Sequence, residues 1–139
     1  LRSYVLEELS EPSRQQAVRE NVSAQGYKRA LPVAMENLNK ISDAGLPIGF
    51  GTDTGPAGRF QGFFEHMELV LMERSGMSSE QILRSATGQA AKCLGLEEEV
   101  GTLQADRWAD FIVLTENPLE DVRNMRTIES VWIAGNRIG

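Results

Sequence analysis

Amphipathic helices interleaved with a short apolar strand, then a run of short strands, predict an α/β protein carrying a small β layer. Three observations carry that expectation. Helical stripes recur between Ala30 and Leu94, residues 46–51 form a glycine-bounded apolar run, and after Gly95 the pattern shortens into strands separated by turn residues. With 139 residues the chain is long enough to bury a core.

Residues 1–26 read as a connector with a short helix opening at Ser10-Glu11-Pro12, since proline is tolerated in a first helical turn; Gly26 is expected to break the pattern. Ala30, Leu31, Ala34, Leu38 and Ile41 then form a stripe, predicting a helix over 30–44 with Pro32 in its first turn and Gly45 just past its end. The apolar run 46–51 predicts a buried strand. Residues 52–62, with three glycines and a proline, predict a loop. A helix over 63–74 follows, with Phe63, Phe64, Met67, Val70 and Leu71 on one face and Gly76 as its stop. Ser78 and Gln81 have the spacing of a capping box. The helix they open sets Ile82, Leu83, Ala86, Ala90, Cys93 and Leu94 on one face and ends at Gly95. Strands are expected at 101–103, 109–114 and 128–134, with a turn at Asn117-Pro118 and a two-residue hairpin turn at Gly135-Asn136. No internal repeat or low-complexity stretch interrupts this order.

Composition narrows the classes of function. Net charge is −6 and the 14 basic residues are scattered, which disfavours a nucleic-acid partner. Glu97, Glu98 and Glu99 read as a solvated acidic face. No apolar run approaches the roughly 18 residues of a membrane span, so no membrane partner is expected. No secretory signal is visible; a cytoplasmic location is expected, and Leu1 in place of Met leads us to expect an upstream part of the protein. Cys93 is the single cysteine, expected as a small buried core residue, and His66 is the single histidine. A catalytic zinc takes about three protein ligands, commonly histidines, so these residues cannot build one unaided.

The chemistry centres on Gly49-Phe50-Gly51-Thr52-Asp53-Thr54-Gly55. A strand that delivers a carboxylate from its C-terminal end into a glycine-rich loop has the layout of an α/β active site. The plainer reading is an Asx-turn that caps the loop. A nucleotide-binding loop would need G-x-G-x-x-G entering a helix, whereas the spacing here is G-x-G-x-x-x-G with Pro56 next. An aspartic protease would use Asp53-Thr54-Gly55, but those enzymes are all-β and helical stripes surround this motif.

Ile48-Gly49-Phe50-Gly51-Thr52-Asp53 resembles the last barrel strand of the amidohydrolase superfamily, metal-dependent hydrolases on a distorted TIM barrel. The stretch from Gly76-Met77-Ser78 through Leu83-Arg84-Ser85-Ala86-Thr87 to Leu94-Gly95-Leu96 is similar to the family's helix after that strand. Gly101-Thr102-Leu103, Ala109-Asp110-Phe111-Ile112-Val113-Leu114, Asn117-Pro118-Leu119 and Val131-Trp132-Ile133-Ala134-Gly135 resemble its C-terminal strands and turns. The resemblance covers about residues 28–138 and is nearest to the imidazolonepropionase- and prolidase-like branch. Asp106 departs from it, standing where the family usually has glycine; aspartate tolerates the left-handed backbone that turn needs.

The resemblance implies a C-terminal fragment of a TIM-like barrel (last strand with flanking helices, residues 1–95) plus part of a small β-sandwich layer (96–139). It implies that Asp53 is both a metal ligand and the catalytic proton acceptor, serving a divalent metal, zinc by expectation. The family's H-x-H pair and its further histidines have no counterpart here, so the chain alone is expected to be inactive and to bind no metal tightly. The substrate would be a small-molecule amide, cyclic amide or peptide such as a dipeptide. Arg59 and His66 are candidate substrate-binding residues, each with a plainer reading as a solvated loop cation and a packed helix histidine. Thr52 and Thr54 are expected to bond the loop backbone and orient Asp53, Asp110 to make a turn or strand-end hydrogen bond, and Trp108 and Trp132 to pack. The alternative from another class is a non-catalytic binding or assembly module derived from the same fold. A partial barrel would also leave edges and apolar faces open, so self-association or homo-oligomers are expected.

Overall fold

A computed structural model describes residues 7, 10–55 and 59–139. Most of the expected connector before residue 10, and residues 56–58 of the expected loop, lie outside the described residues. The chain divides into two compact units, residues 1–37 and 38–139.

In the first unit, helix α1 (Pro12–Glu20) begins with Pro12 in its first turn, as the sequence predicts. Helix α2 (Val22–Asp43) runs through both of the expected breakers: Gly26 lies within it and Pro32 is internal rather than in the first turn. Gly26 only weakens a helix, and a proline removes one hydrogen bond; 22 residues of otherwise helical sequence absorb both. The helix runs on past Asn37 into the second unit, where Leu38 of the predicted stripe packs against that unit's own core, while Leu31 and Ile41 are exposed. Gly45 sits just past the end of α2 at φ +68, the left-handed stop its position predicts.

Residues 46–51 are extended but pair with no strand among the described residues, which corrects the expected strand. A strand needs a neighbouring ladder, and here Phe50 N–H donates instead to the Ser85 carbonyl at 3.1 Å. Helix α3 (Phe63–Arg74) occupies the predicted span. Its buried residues are Leu69 and Met72, whereas Phe63 and Met67 of the expected face are exposed. Ser78 and Gln81 form the predicted reciprocal cap on helix α4 (Ser79–Arg84). A π-helical turn, Ser85–Gln89, then leads into α5 (Ala90–Leu94), which Gly95 ends in a left-handed conformation. The π turn rotates everything after it relative to Ile82. Cys93 and Leu94 are therefore exposed, not on the buried face the uninterrupted period predicts.

Residues 101–103 form no strand, a second correction. Gly101 has φ +89 and lies so close to Ala91 Cβ and the Thr87 carbonyl that a side chain would not fit. Strand β1 (Phe111–Leu114) pairs antiparallel with β2 (Ile128–Ile133), and β2 with β3 (Asn136–Arg137). Phe111 and Trp132 are cross-strand partners whose rings stack at 5.5 Å; Trp108, expected to pack, is 55% exposed. The hairpin turn is Ala134-Gly135, one residue earlier than predicted, because Ala134 (φ +49) and Gly135 (φ +75) supply the two left-handed residues such a turn requires. Asp106 is left-handed at φ +66, and Asp110 Oδ1 accepts from Ala134 N–H at 2.7 Å, both as the sequence predicts.

Leu69, Met72, Met77, Ile82 and Val122 form the core of the second unit. Val122 opens a 3-10 turn (Val122–Arg126) whose Arg123 bridges to Glu73 of α3 at 2.9 Å.

Candidate functional site

The extended segment 46–52 ends at Asp53, which takes φ +51, the left-handed region that aspartate tolerates better than most residues. Its neighbours Thr52 and Thr54 turn inward and are half-buried, while the Asp53 side chain is 88% exposed. Among the described residues the carboxylate bonds only to Arg59: Nη1 lies 2.6 Å from Oδ2 and also donates to the Asp53 carbonyl at 3.0 Å. Oδ1 stays open. Arg59 thus meets Asp53 directly; among the described residues nothing links His66 to either of them.

Among the described residues Thr52 and Thr54 bond a side chain rather than the loop backbone. Both hydroxyls donate to Glu65 Oε1, at 3.1 and 2.9 Å, and lie 3.3 Å apart. Glu65 Oε2 accepts from Gly62 N–H at 2.5 Å, so one carboxylate ties the Asp53 segment to the start of α3. The Glu65 backbone N–H and then the Thr54 hydroxyl, with smaller help from Thr52 and Gly62, hold this carboxyl below the ordinary 4.5 against a modest opposing effect of burial. Glu65 is absent from the sequence-derived candidates. Its legible signal is a glutamate at the third position of a helix, three residues after the residue before it, where it reaches back to a free N–H.

His66 is half-buried on the first turn of α3. Burial first, and the positive charge of Arg126 second, hold its imidazole below the ordinary 6.5, with Glu65 opposing. It is neutral at pH 7. Burial pushes the nearby Glu68 carboxyl upward.

Asp53 fits a metal as a single ligand, exposed and with one oxygen unpartnered among the described residues. Among the described residues no three His, Cys, Asp or Glu side chains gather to hold an ion. Two hollows, of about 420 and 570 Å³, are lined by other residues, including Ser42 and Ser85 in the first and Leu83 and Phe111 in the second; neither includes Asp53.

A family model, that of the amidohydrolase family, matches residues 13–138, which takes in Asp53, the helices after it and the β layer. The chain belongs to the amidohydrolase family. Imidazolonepropionase of Thermoplasma acidophilum is 30% identical over 108 residues, covering 78% of this chain and 26% of that protein. Ochratoxinase of Aspergillus niger is 35% identical over 97 residues, covering 66% of this chain and 19% of its own length. A solved Xaa-Pro dipeptidase with methionine bound in its active site superimposes with a TM-score of 0.69 at 29% identity, over 77% of this chain and 26% of that one. This amidohydrolase chain therefore spans about a quarter or less of the relatives it matches. No helix among the described residues is long and apolar enough to cross a membrane.

Proposed function

We propose that this chain is the C-terminal portion of a metal-dependent amidohydrolase that cleaves an amide or cyclic-amide C–N bond, a dipeptide bond included, with metal-activated water. The observation that carries the reading is Asp53: a highly exposed carboxylate turned outward at the end of the extended segment in a chain matching the family over residues 13–138. In this reading residues 1–95 belong to the barrel and 96–139 to the small β layer. A divalent metal, zinc in our reading, supplies when bound the Lewis acidity that brings the pKa of water towards about 7.

Asp53 offers one oxygen to hold that ion. Its carboxylate accepts the proton the attacking water gives up, then returns it to the departing nitrogen, so the residue ends each cycle unprotonated. Arg59, at the mouth of the loop, and His66, a neutral hydrogen-bonding partner at pH 7, are the substrate-side groups. One carboxylate is no metal site, so the chain by itself is expected to be inactive.

The test begins with the source DNA upstream of Leu1. The whole protein it encodes is assayed with zinc against dipeptides and cyclic amides, beside Asp53→Asn. Turnover that falls by about 10²- to 10⁴-fold in the variant supports the reading. Unchanged turnover in Asp53→Asn overturns the role of Asp53, and zinc-dependent turnover by the 139-residue chain alone overturns its incompleteness. A frame opening at or near Leu1 gives the binding or assembly module instead.

A further inference from the structure

We propose that Glu65 is the positioning residue for Asp53, clamping the two threonines on either side of it so that the carboxylate stays turned outward. The inference rests on the catalytic reading of Asp53. The clamp spans 12 residues of sequence, from Asp53 at the end of the extended segment to Glu65 on α3. Oε1 receives Thr52 and Thr54, and Oε2 receives the Gly62 N–H. An ionised carboxylate only accepts, which fixes the direction of every bond: both threonine protons point to Glu65. Each hydroxyl has one proton, so the 3.3 Å Thr52–Thr54 contact yields to the two shorter bonds to the carboxylate.

The geometric consequence falls on the residue between. With both neighbours pinned inward, Asp53 is held at φ +51, away from the extended backbone that an aspartate otherwise prefers. Without the clamp, Thr52 and Thr54 lose the acceptor that holds them and the Asp53 backbone can return to the extended basin, carrying the carboxylate away from its target. Misplacement of a catalytic group by about 1 Å can cost about 10²-fold in rate, and loss of a group that orients a metal ligand typically lowers metal affinity by about 10- to 100-fold.

A simple helix cap is the competing role, since Glu65 also bonds Gly62 N–H at the start of α3. The two roles separate in the whole zinc-loaded protein, with Glu65→Ala, Glu65→Gln, Thr54→Val and Asp53→Asn compared. The readouts are kcat, KM, melting temperature, and zinc affinity by competition with a chromophoric chelator. Glu65→Ala is expected to lower both kcat and zinc affinity by about 10- to 100-fold with KM within about 3-fold. Glu65→Gln keeps a carbonyl oxygen for both threonines and should recover most of the loss, although its amide cannot accept from Gly62. Thr54→Val leaves the cap untouched, so a fall in kcat and zinc affinity there reports positioning even if Glu65→Ala folds poorly. A Glu65→Ala protein that melts lower while kcat and zinc affinity stay within about twofold of wild type, with Thr54→Val likewise unaffected, overturns the proposal and leaves only a cap. If Asp53→Asn itself changes neither kcat nor zinc affinity, the catalytic reading of Asp53 fails, and the positioning role falls with it.

Discussion

The core of the second unit and the loop that carries Asp53 are held by opposite means. Leu69, Met72, Met77, Ile82 and Val122 are almost fully buried and held by apolar contact, with Ile82 at 0% exposure. The Asp53 segment buries no large apolar side chain of its own beyond the half-buried Ile48 and Phe50, and among the described residues it is held by hydrogen bonds, Thr52 and Thr54 to the Glu65 carboxylate, Asp53 to Arg59 and Phe50 to Ser85. Stability is therefore concentrated in the one region and, in the proposed reading, chemistry in the other. Apolar burial is nondirectional and tolerates small shifts, whereas a hydrogen-bonded loop fixes a direction, which is what the proton acceptor of the proposed reading needs.

The largest expected break in this comparison is Asp53→Asn in the whole protein. Turnover should fall by about 10²- to 10⁴-fold, while the melting temperature stays near that of wild type, because an exposed Asp–Arg pair contributes little to folding. Calorimetry beside the activity assay checks both halves. Ile82→Ala should do the reverse, lowering stability by about 2–5 kcal/mol in a denaturant titration and leaving kcat of the surviving folded protein close to wild type.

A smaller effect concerns acid. The Glu65 carboxyl titrates below 4.5 in the folded protein, so its contribution is fully present above the ordinary carboxylate range and is lost as pH falls through the depressed folded value. Melting temperatures of wild type and Glu65→Gln from pH 7 down to pH 3 should therefore differ by a constant gap that closes below about pH 4.5. A gap independent of pH would show that the lost Gly62 contact, not the charge, accounts for it. The smallest change is Asp106→Gly: this second left-handed aspartate has no partner in the Glu65 network, and glycine there should raise stability by less than about 1 kcal/mol without touching kcat.

Local chemistry was the legible part of the sequence. The Ser78–Gln81 cap, the stops at Gly45 and Gly95, the 63–74 helix, the left-handed Asp106 and the strand-end bond of Asp110 all depend on residues close together in the chain. The family resemblance comes from the same short-range motifs and puts Asp53 at the end of the last barrel strand, where the structure instead has a segment unpaired among the described residues. What failed depended on partners or phase. Residues 46–51 look like a strand, but strandedness needs a neighbour to bond with. Cys93 and Leu94 looked buried because a helical period was carried through Ser85–Gln89, where the chain widens into a π turn. Gly26 and Pro32 were overruled by the length of the helix around them. Glu65 was missed because its partners, Thr52 and Thr54, are joined to it only when the loop folds back onto α3.

The position of Val122 has a consequence for the order of events on the ribosome. It lies 40 residues after Ile82, and both belong to the same cluster. At a synthesis rate of about 5–20 residues per second, Ile82 is made about 2–8 s before Val122. Until Val122 follows, the cluster lacks one of its five buried members, so the core of the second unit closes only when the chain beyond α5 folds back onto it.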